Sequence, residues 1–195
     1  MESNIDVNDI ALVRELGRGA TSVVFLGVLK STGQQYAIKS IQKNQMGSKE
    51  WENLCREIGI LRQMDHPNVI HMHSIFQSPD QYHIILDYMA QGELFTQIIE
   101  RGSFSESDAR EIITQILDGL RYLHDNGIVH RDLKPENLLC SDNGTVVISD
   151  FGLSKFFERG QLLNTRCGTM GYTAPEIVIG ESYTPKVDIW AVGVI

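Results

Sequence analysis

The stretch HRDLKPEN at residues 130–137, followed by DFG at residues 150–152, decides the fold of this chain. The first run brings a carboxylate, an ammonium group and an amide close together in Asp132, Lys134 and Asn137. The second run adds the carboxylate of Asp150 just after the apolar residues 146–148. Such groups have the chemistry needed to hold a nucleotide triphosphate, its magnesium ion and a hydroxyl nucleophile in line.

The composition is that of an ordinary globular chain. Of the 195 residues, 42% are hydrophobic and 22% are charged, which allows the chain to bury a core. The net charge of −8, with no block of Lys and Arg, argues against general nucleic-acid binding. An acidic surface favours basic peptide partners instead.

Cysteine usage and hydropathy favour an intracellular protein. Cys55, Cys140 and Cys167 are odd in number and lack CxxC spacing, as expected of free thiols in a reducing compartment. The polar, acidic start at Met1–Asp9 is unlike a secretory or mitochondrial leader. No apolar run reaches the roughly 18–20 residues of a membrane span. We therefore expect no membrane partner and a cytoplasmic, or else nuclear, location.

The N-terminal part contains runs rich in Val, Ile, Leu and aromatic residues that are separated by Gly-containing turns, as is typical of β-strands. We expect strands at Ile10–Leu16, Ser22–Leu29, Gln35–Ile41, Val69–Phe76 and Tyr82–Tyr88. A turn at Ser31–Thr32–Gly33 joins the second and third, and such short connections imply an antiparallel sheet. One helix, Ser48–Met64, is expected to present Leu54, Ile58 and Leu61 on one face.

The hydrophobic period becomes helical after residue 92. A short helix is expected over Glu93–Glu100, and the Ser105-x-x-Asp108 start signal predicts a long one that Gly127 ends. We place the boundary between the two parts near residues 89–91, so that the domains are residues 1–89 and 90–195. An apolar helix begins at Pro185 and the sequence stops inside it, which predicts a domain truncated at its C-terminal end.

A glycine-containing turn, GRGATSVV at residues 17–24, separates the first two predicted strands. Glycines let backbone amides approach phosphate closely, although a GxG turn alone is also typical of a plain hairpin. The absence of GxxxxGK[ST] argues against a P-loop, and the hairpin setting argues against a dinucleotide-binding site.

Lys39 lies among apolar neighbours on the third predicted strand. It is either an edge lysine that extends to water or a cation for nucleotide phosphates, held by a carboxylate of the following helix. Glu57 is the candidate carboxylate, and spacing alone barely favours it. Glu50 and Glu52 are rivals, although a carboxylate near a helix start is favoured by the helix dipole alone.

Asp132 is the expected base for an incoming hydroxyl. Lys134 can neutralise charge on a moving phosphoryl group, and Asn137 and Asp150 offer the oxygen ligands that Mg²⁺ requires. A single Asp in a loop is usually a turn or cap residue. That role is disfavoured here because the polar groups of Asp132, Lys134, Asn137 and Asp150 all lie beside apolar strands. His130 is expected to have a structural role.

Taken together, these motifs and Ala174-Pro175-Glu176 make the chain similar to the eukaryotic protein kinases from about Asp9 onward. The resemblance implies an α+β, bilobal kinase-like fold. Its N-terminal antiparallel five-stranded sheet plus one helix would be hinged at Asp87–Met89 to a mostly helical, incomplete C-terminal lobe. It also implies that ATP and Mg²⁺ are bound, with the metal at Asn137 and Asp150.

The resemblance implies a specific environment for ATP, with the adenine between apolar side chains of both lobes. The residues implied to surround the nucleotide are Leu16, Gly17, Arg18, Gly19, Ala20, Thr21, Ser22, Val24, Ala37, Lys39, Glu57, Leu86, Asp87, Met89, Glu93, Glu136, Leu139 and Asp150. The resemblance places Leu86 at the back of this pocket. Ser22 stands where the kinase pattern has its third glycine.

Lys134 in HRDLKPEN is similar to the serine/threonine class. Residues 167–176 (CGTMGYTAPE) and 92–95 (GELF) most resemble the calcium/calmodulin-dependent kinases. In that group Glu93 and Glu136 match acidic positions that receive arginines, through bidentate Arg–carboxylate contacts. We therefore expect protein substrates with Arg upstream of the target Ser or Thr. Calmodulin would act only through a segment absent from this chain.

The resemblance also assigns roles in and after the segment that follows DFG. Thr165 matches the phosphosite of an upstream activating kinase, where phosphate would pair with Arg131; the plain alternative is an ordinary exposed threonine. Thr169 matches the residue that contacts the catalytic Asp and Lys. Asp188 matches the anchor of the catalytic-loop backbone. Met170 replaces a commoner proline.

Two functions therefore stay open. The first is a serine/threonine kinase that transfers the γ-phosphate of ATP to protein hydroxyls. The second is a truncated, catalytically weak or inactive fragment that binds nucleotide or partners as a scaffold. The motifs favour the first function, whereas the absence of the helices that follow Pro185–Ile195 in a kinase favours the second.

Overall fold

The structure, a computed structural model, describes residues 9–19 and 21–195, which form two compact units. One unit comprises the described residues up to Glu52 together with Ile70–Met89, and the other comprises Asn53–Val69 with Ala90–Ile195. The division at residue 89 stays a prediction. No helix within the described residues is both long enough and apolar enough to cross a membrane.

The first unit is built on a five-stranded sheet. Its strands are β1 (Ile10–Arg18), β2 (Ser22–Leu29), β3 (Gln35–Gln42), β4 (Met72–Gln77) and β5 (Gln81–Asp87). They lie in the order β1-β2-β3-β5-β4 and all pairs are antiparallel, which confirms the predicted sheet. The turn between β2 and β3 closes with Gly33 at φ 75°, a conformation that favours glycine. Tyr36, Ile38 and Ile85 form a buried cluster on this sheet.

The predicted strand Val69–Phe76 is wrong at its start, because β4 begins only at Met72. Val69 instead forms a parallel bridge with Ile148 in the second unit. The apolar side chains of Val69 and Ile70 predicted a strand here but could not identify the segment with which Val69 pairs.

Helix α1 spans Ser48–Leu61 and is shorter than predicted. The predicted end at Met64 is wrong, because Gln63 and Met64 donate to the carbonyls of Ile60 and Leu61 in tighter turns. The buried face also differs in part from the prediction, since Ile60 is buried whereas Ile58 is only half-buried.

Four further α-helices are described in the second unit. These are α2 (Leu94–Arg101), α3 (Glu106–Asp125), α4 (Pro175–Ile179) and α5 (Lys186–Val194). The start signal of α3 is confirmed, because the Ser105 hydroxyl accepts the Asp108 N–H at 3.1 Å. Gly127 follows its end at φ 70°. The prediction that α2 begins at Glu93 is wrong by one residue, since Glu93 belongs to a strand and precedes the helix.

Short strands frame the two diagnostic motifs. They are β6 (Gly92–Glu93), β7 (Ile128–Val129), β8 (Leu138–Cys140), β9 (Val146–Ile148) and β10 (Lys155–Phe156). β6, β8 and β9 form one antiparallel sheet, and β7 pairs with β10. HRDLKPEN therefore connects β7 to β8, and DFG follows β9. Because β8 and β9 pair directly, the end of the first motif lies beside the start of the second.

Candidate functional site

Asp132 lies at the centre of a cluster of hydrogen bonds in the second unit. Its Oδ1 accepts the hydroxyl of Thr169 at 2.7 Å. Its Oδ2 lies 3.1 Å from Lys134 Nζ and 3.2 Å from Asn137 Nδ2. Lys134 Nζ also donates to Thr169 Oγ1 at 2.8 Å, so that Asp132, Lys134 and Thr169 form a closed hydrogen-bond network. The carboxylate is thus held in one orientation beside a cation.

Asp188 fixes the backbone that precedes Asp132. Its carboxylate is 1% exposed and accepts the N–H groups of His130 at 2.9 Å and Arg131 at 2.7 Å. A third contact comes from His124 Nε2 at 2.8 Å. Arg131 has φ 71°, which costs about 1–3 kcal/mol for a residue with a side chain. The anchor holds this strained residue and therefore sets the position of Asp132.

His130 is fully buried and both of its ring nitrogens are used. Nε2 lies 2.9 Å from the carbonyl of Ser149, and Nδ1 accepts the N–H of Asp132 at 3.3 Å. The ring also meets Phe151 edge-on, with centroids 5.3 Å apart. His130 therefore joins the two motifs, in keeping with the structural role expected of it.

Asn137 and Asp150 lie at neighbouring strand ends. The N–H of Ser149 donates to the Asn137 carbonyl at 2.9 Å, which brings the residue before Asp150 against Asn137. The Asn137 amide nitrogen donates to the Asp132 carbonyl at 2.8 Å, so its Oδ1 faces away from that bond. Asp150 is exposed and uses one carboxylate oxygen to accept the Gly152 N–H at 3.2 Å. Two oxygen groups are therefore available here.

This donor set fits Mg²⁺, a hard cation that binds oxygen and commonly uses one or two protein carboxylates plus substrate phosphates. Among residues 9–19 and 21–195, no group of three or more His, Cys, Asp or Glu side chains converges as an all-protein metal site would. Metal binding at Asn137 and Asp150 would thus depend on further oxygens from the substrate and from water.

Glu93 and Glu136 form an acidic pair near Lys134. Burial raises the pKa of Glu93, the charge of Glu136 raises it further, and Lys134 opposes the change. Glu136 Oε2 is shielded from solvent and has no hydrogen-bond donor among the described residues. Glu136 Oε2 therefore lacks a hydrogen-bond donor, which a guanidinium group would supply.

The predicted phosphate-binding turn lies in the first unit. Gly17 and Arg18 end β1, and the Gly19 N–H donates to the Ser22 carbonyl at 2.8 Å. The Arg18 side chain is exposed and pairs with Glu15 at 2.6 Å. Thr21 is half-buried and Ser22 begins β2, whereas Ala20 lies outside the described residues. The turn is thus open to solvent along much of its length.

The other nucleotide candidates of this unit lie on β1, β2, β3 and β5 or just after β5. Val24 pairs with Lys39, and Ala37 pairs with Leu86. The remaining members are Leu16, which is half-buried, Asp87, whose Oδ1 lies 2.7 Å from His73 Nε2, and Met89, which is half-buried. All of these residues except Met89 lie on one sheet, and their contact with a nucleotide stays a prediction.

Lys39 and Glu57 belong to different units, and their pairing stays a prediction. Glu57 is 7% exposed, whereas its rivals Glu50 and Glu52 are exposed. Glu50 Oε2 accepts the Gly47 N–H at 3.0 Å, which is the role expected of a carboxylate at a helix start. Leu139, the candidate from the second unit, is half-buried in β8 opposite Val147.

Two polar residues of the second unit were missed by sequence reasoning. Tyr183 donates its hydroxyl to the carbonyl of Thr165 at 2.7 Å, and Arg131 Nη1 donates to that hydroxyl at 3.3 Å. Ser154 is fully buried and donates to the His130 carbonyl at 3.2 Å. Neither belongs to a local motif, because each acts through a contact that only the fold creates. Thr165 itself is exposed.

Comparison with known proteins gives one consistent result. The family model for the protein kinase domain matches residues 10–195. A probable myosin light chain kinase of Dictyostelium discoideum is 47% identical over 97% of this chain and 56% of its own length. Myosin light chain kinase A of the same organism is 45% identical over 93% of this chain and 62% of its length.

A mammalian relative is equally similar. Calcium/calmodulin-dependent protein kinase type IV of Mus musculus is 47% identical over 93% of this chain and 38% of its own length. The chain thus spans about half the length of the relatives that it matches.

Proposed function

This chain belongs to the protein kinase family, with serine/threonine kinases of the calmodulin-dependent type among its relatives, and we propose that it phosphorylates protein serine or threonine hydroxyls with ATP. One observation carries the proposal: Asp132 lies within hydrogen-bond distance of Thr169, Lys134 and Asn137 at once. A carboxylate fixed in this way is suited to orient an incoming hydroxyl rather than to cap a turn.

Each member of the cluster has a distinct proposed role. Asp132 accepts or orients the proton of the substrate hydroxyl. Lys134, which already neighbours that carboxylate at 3.1 Å, offsets negative charge on the transferring phosphoryl group. Thr169 holds both side chains in position through the hydrogen bonds of its hydroxyl.

The proposed nucleotide-binding groups come from four motifs of the sequence. Asn137 and Asp150 would hold Mg²⁺, which when bound neutralises phosphate charge. The open glycine turn offers backbone N–H groups to phosphate, and Lys39 adds a cation held by Glu57. Each of these assignments rests on the motifs and on the kinase family to which the chain belongs.

We further propose a preference for substrates with Arg upstream of the target residue. The support is the unmet hydrogen-bond demand of Glu136 and the raised pKa of Glu93. A guanidinium group placed between them would relieve the repulsion of two carboxylates and donate bidentate hydrogen bonds. Such substrates also suit the net charge of −8.

Thr165 is proposed as a site for an upstream activating kinase because it is exposed and because its carbonyl accepts the Tyr183 hydroxyl, to which Arg131 also donates. A cytoplasmic or nuclear location is proposed as well, from the free cysteines at Cys55, Cys140 and Cys167.

Peptide phosphorylation by the purified protein tests the main proposal, with Asp132→Asn as the decisive variant. We expect turnover in the parent and a loss of about 10²–10⁴-fold in kcat in the variant, the range typical of a general base. Asp125→Asn, at an exposed position at the end of α3, is the matched control and should keep parental turnover. ATP binding without turnover in the parent would contradict the proposal and favour a nucleotide-binding scaffold.

A further inference from the structure

Tyr183 joins three parts of the second unit although it lies in no motif. It is 3% exposed and its backbone exchanges two hydrogen bonds with Leu163, at 2.8 and 2.7 Å. Its hydroxyl donates to the Thr165 carbonyl at 2.7 Å and accepts from Arg131 Nη1 at 3.3 Å. One phenol therefore links the segment around Thr165 to the residue that precedes Asp132.

Arg131 depends on such contacts more than most residues do. Its backbone has φ 71°, a conformation that persists only where the surroundings determine it. Asp188 holds its N–H, the Leu153 carbonyl accepts its Nε at 2.7 Å, and Tyr183 holds Nη1. Loss of one of these contacts would allow Arg131, and with it Asp132, to move.

The Tyr183 hydroxyl must keep its proton to donate to the Thr165 carbonyl. Burial raises the pKa of Tyr183, Arg131 opposes this change and Cys167 adds to it. The net direction is upward from an ordinary value of 10.0, so the phenol stays protonated at neutral pH. Both hydrogen bonds are therefore available under working conditions.

On the basis of the proposed kinase activity, we propose that Tyr183 is a positioning residue that docks the unmodified Thr165 segment against Arg131. In this way it keeps Asp132 in its working position without a phosphate. While Thr165 is unmodified, the Tyr183 hydroxyl is the neutral hydrogen-bond partner of Arg131. A phosphate on Thr165 would take over that place. The protein therefore has turnover before Thr165 is modified.

Tyr183→Phe tests the inference because it removes only the hydroxyl. Its matched control is Tyr122→Phe, which also removes a phenol hydroxyl bonded to backbone groups. The Tyr122 hydroxyl accepts the Asp65 N–H at 3.0 Å and donates to the Gln63 carbonyl at 3.4 Å, away from the Asp132 cluster. Both variants are measured with Thr165 verified as unmodified by mass spectrometry.

In the activity measurement we expect Tyr183→Phe to lower kcat by about tenfold, with the KM for ATP changed by less than about twofold. Tyr122→Phe should lose a similar amount of thermal stability yet keep its kcat within about twofold of the parent. Equal kcat values for the two variants would overturn the inference. Turnover in the parent only after phosphorylation of Thr165 would overturn it as well.

A second measurement does not depend on turnover. Hydrogen exchange of the backbone amides in residues 162–169 should be faster in Tyr183→Phe than in the parent and in Tyr122→Phe. Unchanged exchange would overturn the docking role, whether or not the parent is active. An inactive parent with the expected exchange pattern would contradict the proposed kinase activity but support the docking role, so the two failures are distinguishable.

Discussion

The loop at residues 130–137, called the catalytic loop below, and the glycine turn at residues 17–24 differ in how firmly their functional groups are held. At the loop, Asp132 is fixed by side chains drawn from its own loop and from the distant Thr169. At the turn, Gly17 has nothing within 4 Å of the position that a Cβ would take, and the Arg18 side chain is exposed. One region is organised by buried hydrogen bonds, whereas the other owes its proposed role to open backbone. Substitutions should therefore affect the two regions differently.

The largest expected effect is that of Asp188→Ala on stability. This change leaves the buried N–H groups of His130 and Arg131, together with His124, without their common acceptor. Removal of one side of a buried charged network costs about 3–5 kcal/mol, so the free energy of unfolding should fall by about that amount. Urea denaturation followed by circular dichroism measures it. Asp125→Ala is the exposed control. An equal loss of stability in both variants would contradict the conclusion that buried hydrogen bonds organise the catalytic loop.

An intermediate effect is expected from Glu136→Gln. Without this charge, the preference for a peptide with Arg three positions upstream of the target, over the matched Ala peptide, should fall by about tenfold in kcat/KM. Glu111→Gln changes the net charge equally at an exposed site on α3 and should keep the preference. Equal rates of the parent on the two peptides would remove the proposed arginine site.

The pH dependence of the preference for Arg is a second test of the Glu93–Glu136 pair. Burial and the charge of Glu136 raise the pKa of Glu93 above its ordinary value, so Glu93 takes up a proton at a higher pH than an ordinary glutamate does. As the pH falls towards that pKa, the carboxylate loses its charge and the preference for Arg should shrink. A preference that is unchanged through the acidic range would contradict a role for Glu93.

The smallest effect is expected from Gly17→Ala. Because the Cβ position is open, the free energy of unfolding should change by less than about 0.5 kcal/mol. The KM for ATP should nevertheless rise a few-fold if phosphate approaches this backbone. Gly27→Ala is the contrast within the same sheet, because its Cβ would lie 2.7 Å from the side chains of both Ile10 and Ile38. Parental ATP affinity in Gly17→Ala would argue against a phosphate cradle.

The sequence was sufficient for features that local residues determine. The apolar-rich runs of β1, β2, β3 and β5 and the Ser105 cap required no knowledge of distant contacts, and the structure confirms them with shifts of a few residues at strand ends. The order of the two motifs placed Asn137 and Asp150 near β8 and β9, which do pair. Local periodicity and cap chemistry therefore carried most of the fold.

Contacts between residues far apart in sequence could not be predicted in the same way. The apolar side chain of Val69 is compatible with a longer β4 and with the bridge to Ile148, so the sequence could not distinguish the two pairings. Tyr183 and Ser154 bear no local signal, because their importance comes from Arg131 and His130, which approach only in the folded unit. The three-way contact of Thr169 with Asp132 and Lys134 was expected only through the kinase resemblance.

The anchor at Asp188 also has a consequence for biosynthesis. It lies 58 positions after His130, so the ribosome releases the catalytic loop well before the carboxylate that secures it. The hairpins of β1, β2 and β3 join neighbours in sequence and can form early, whereas contacts of long sequence separation form late. The left-handed Arg131 can therefore be locked only once α5 has been translated, which makes assembly of the catalytic loop a late event in the maturation of a nascent molecule.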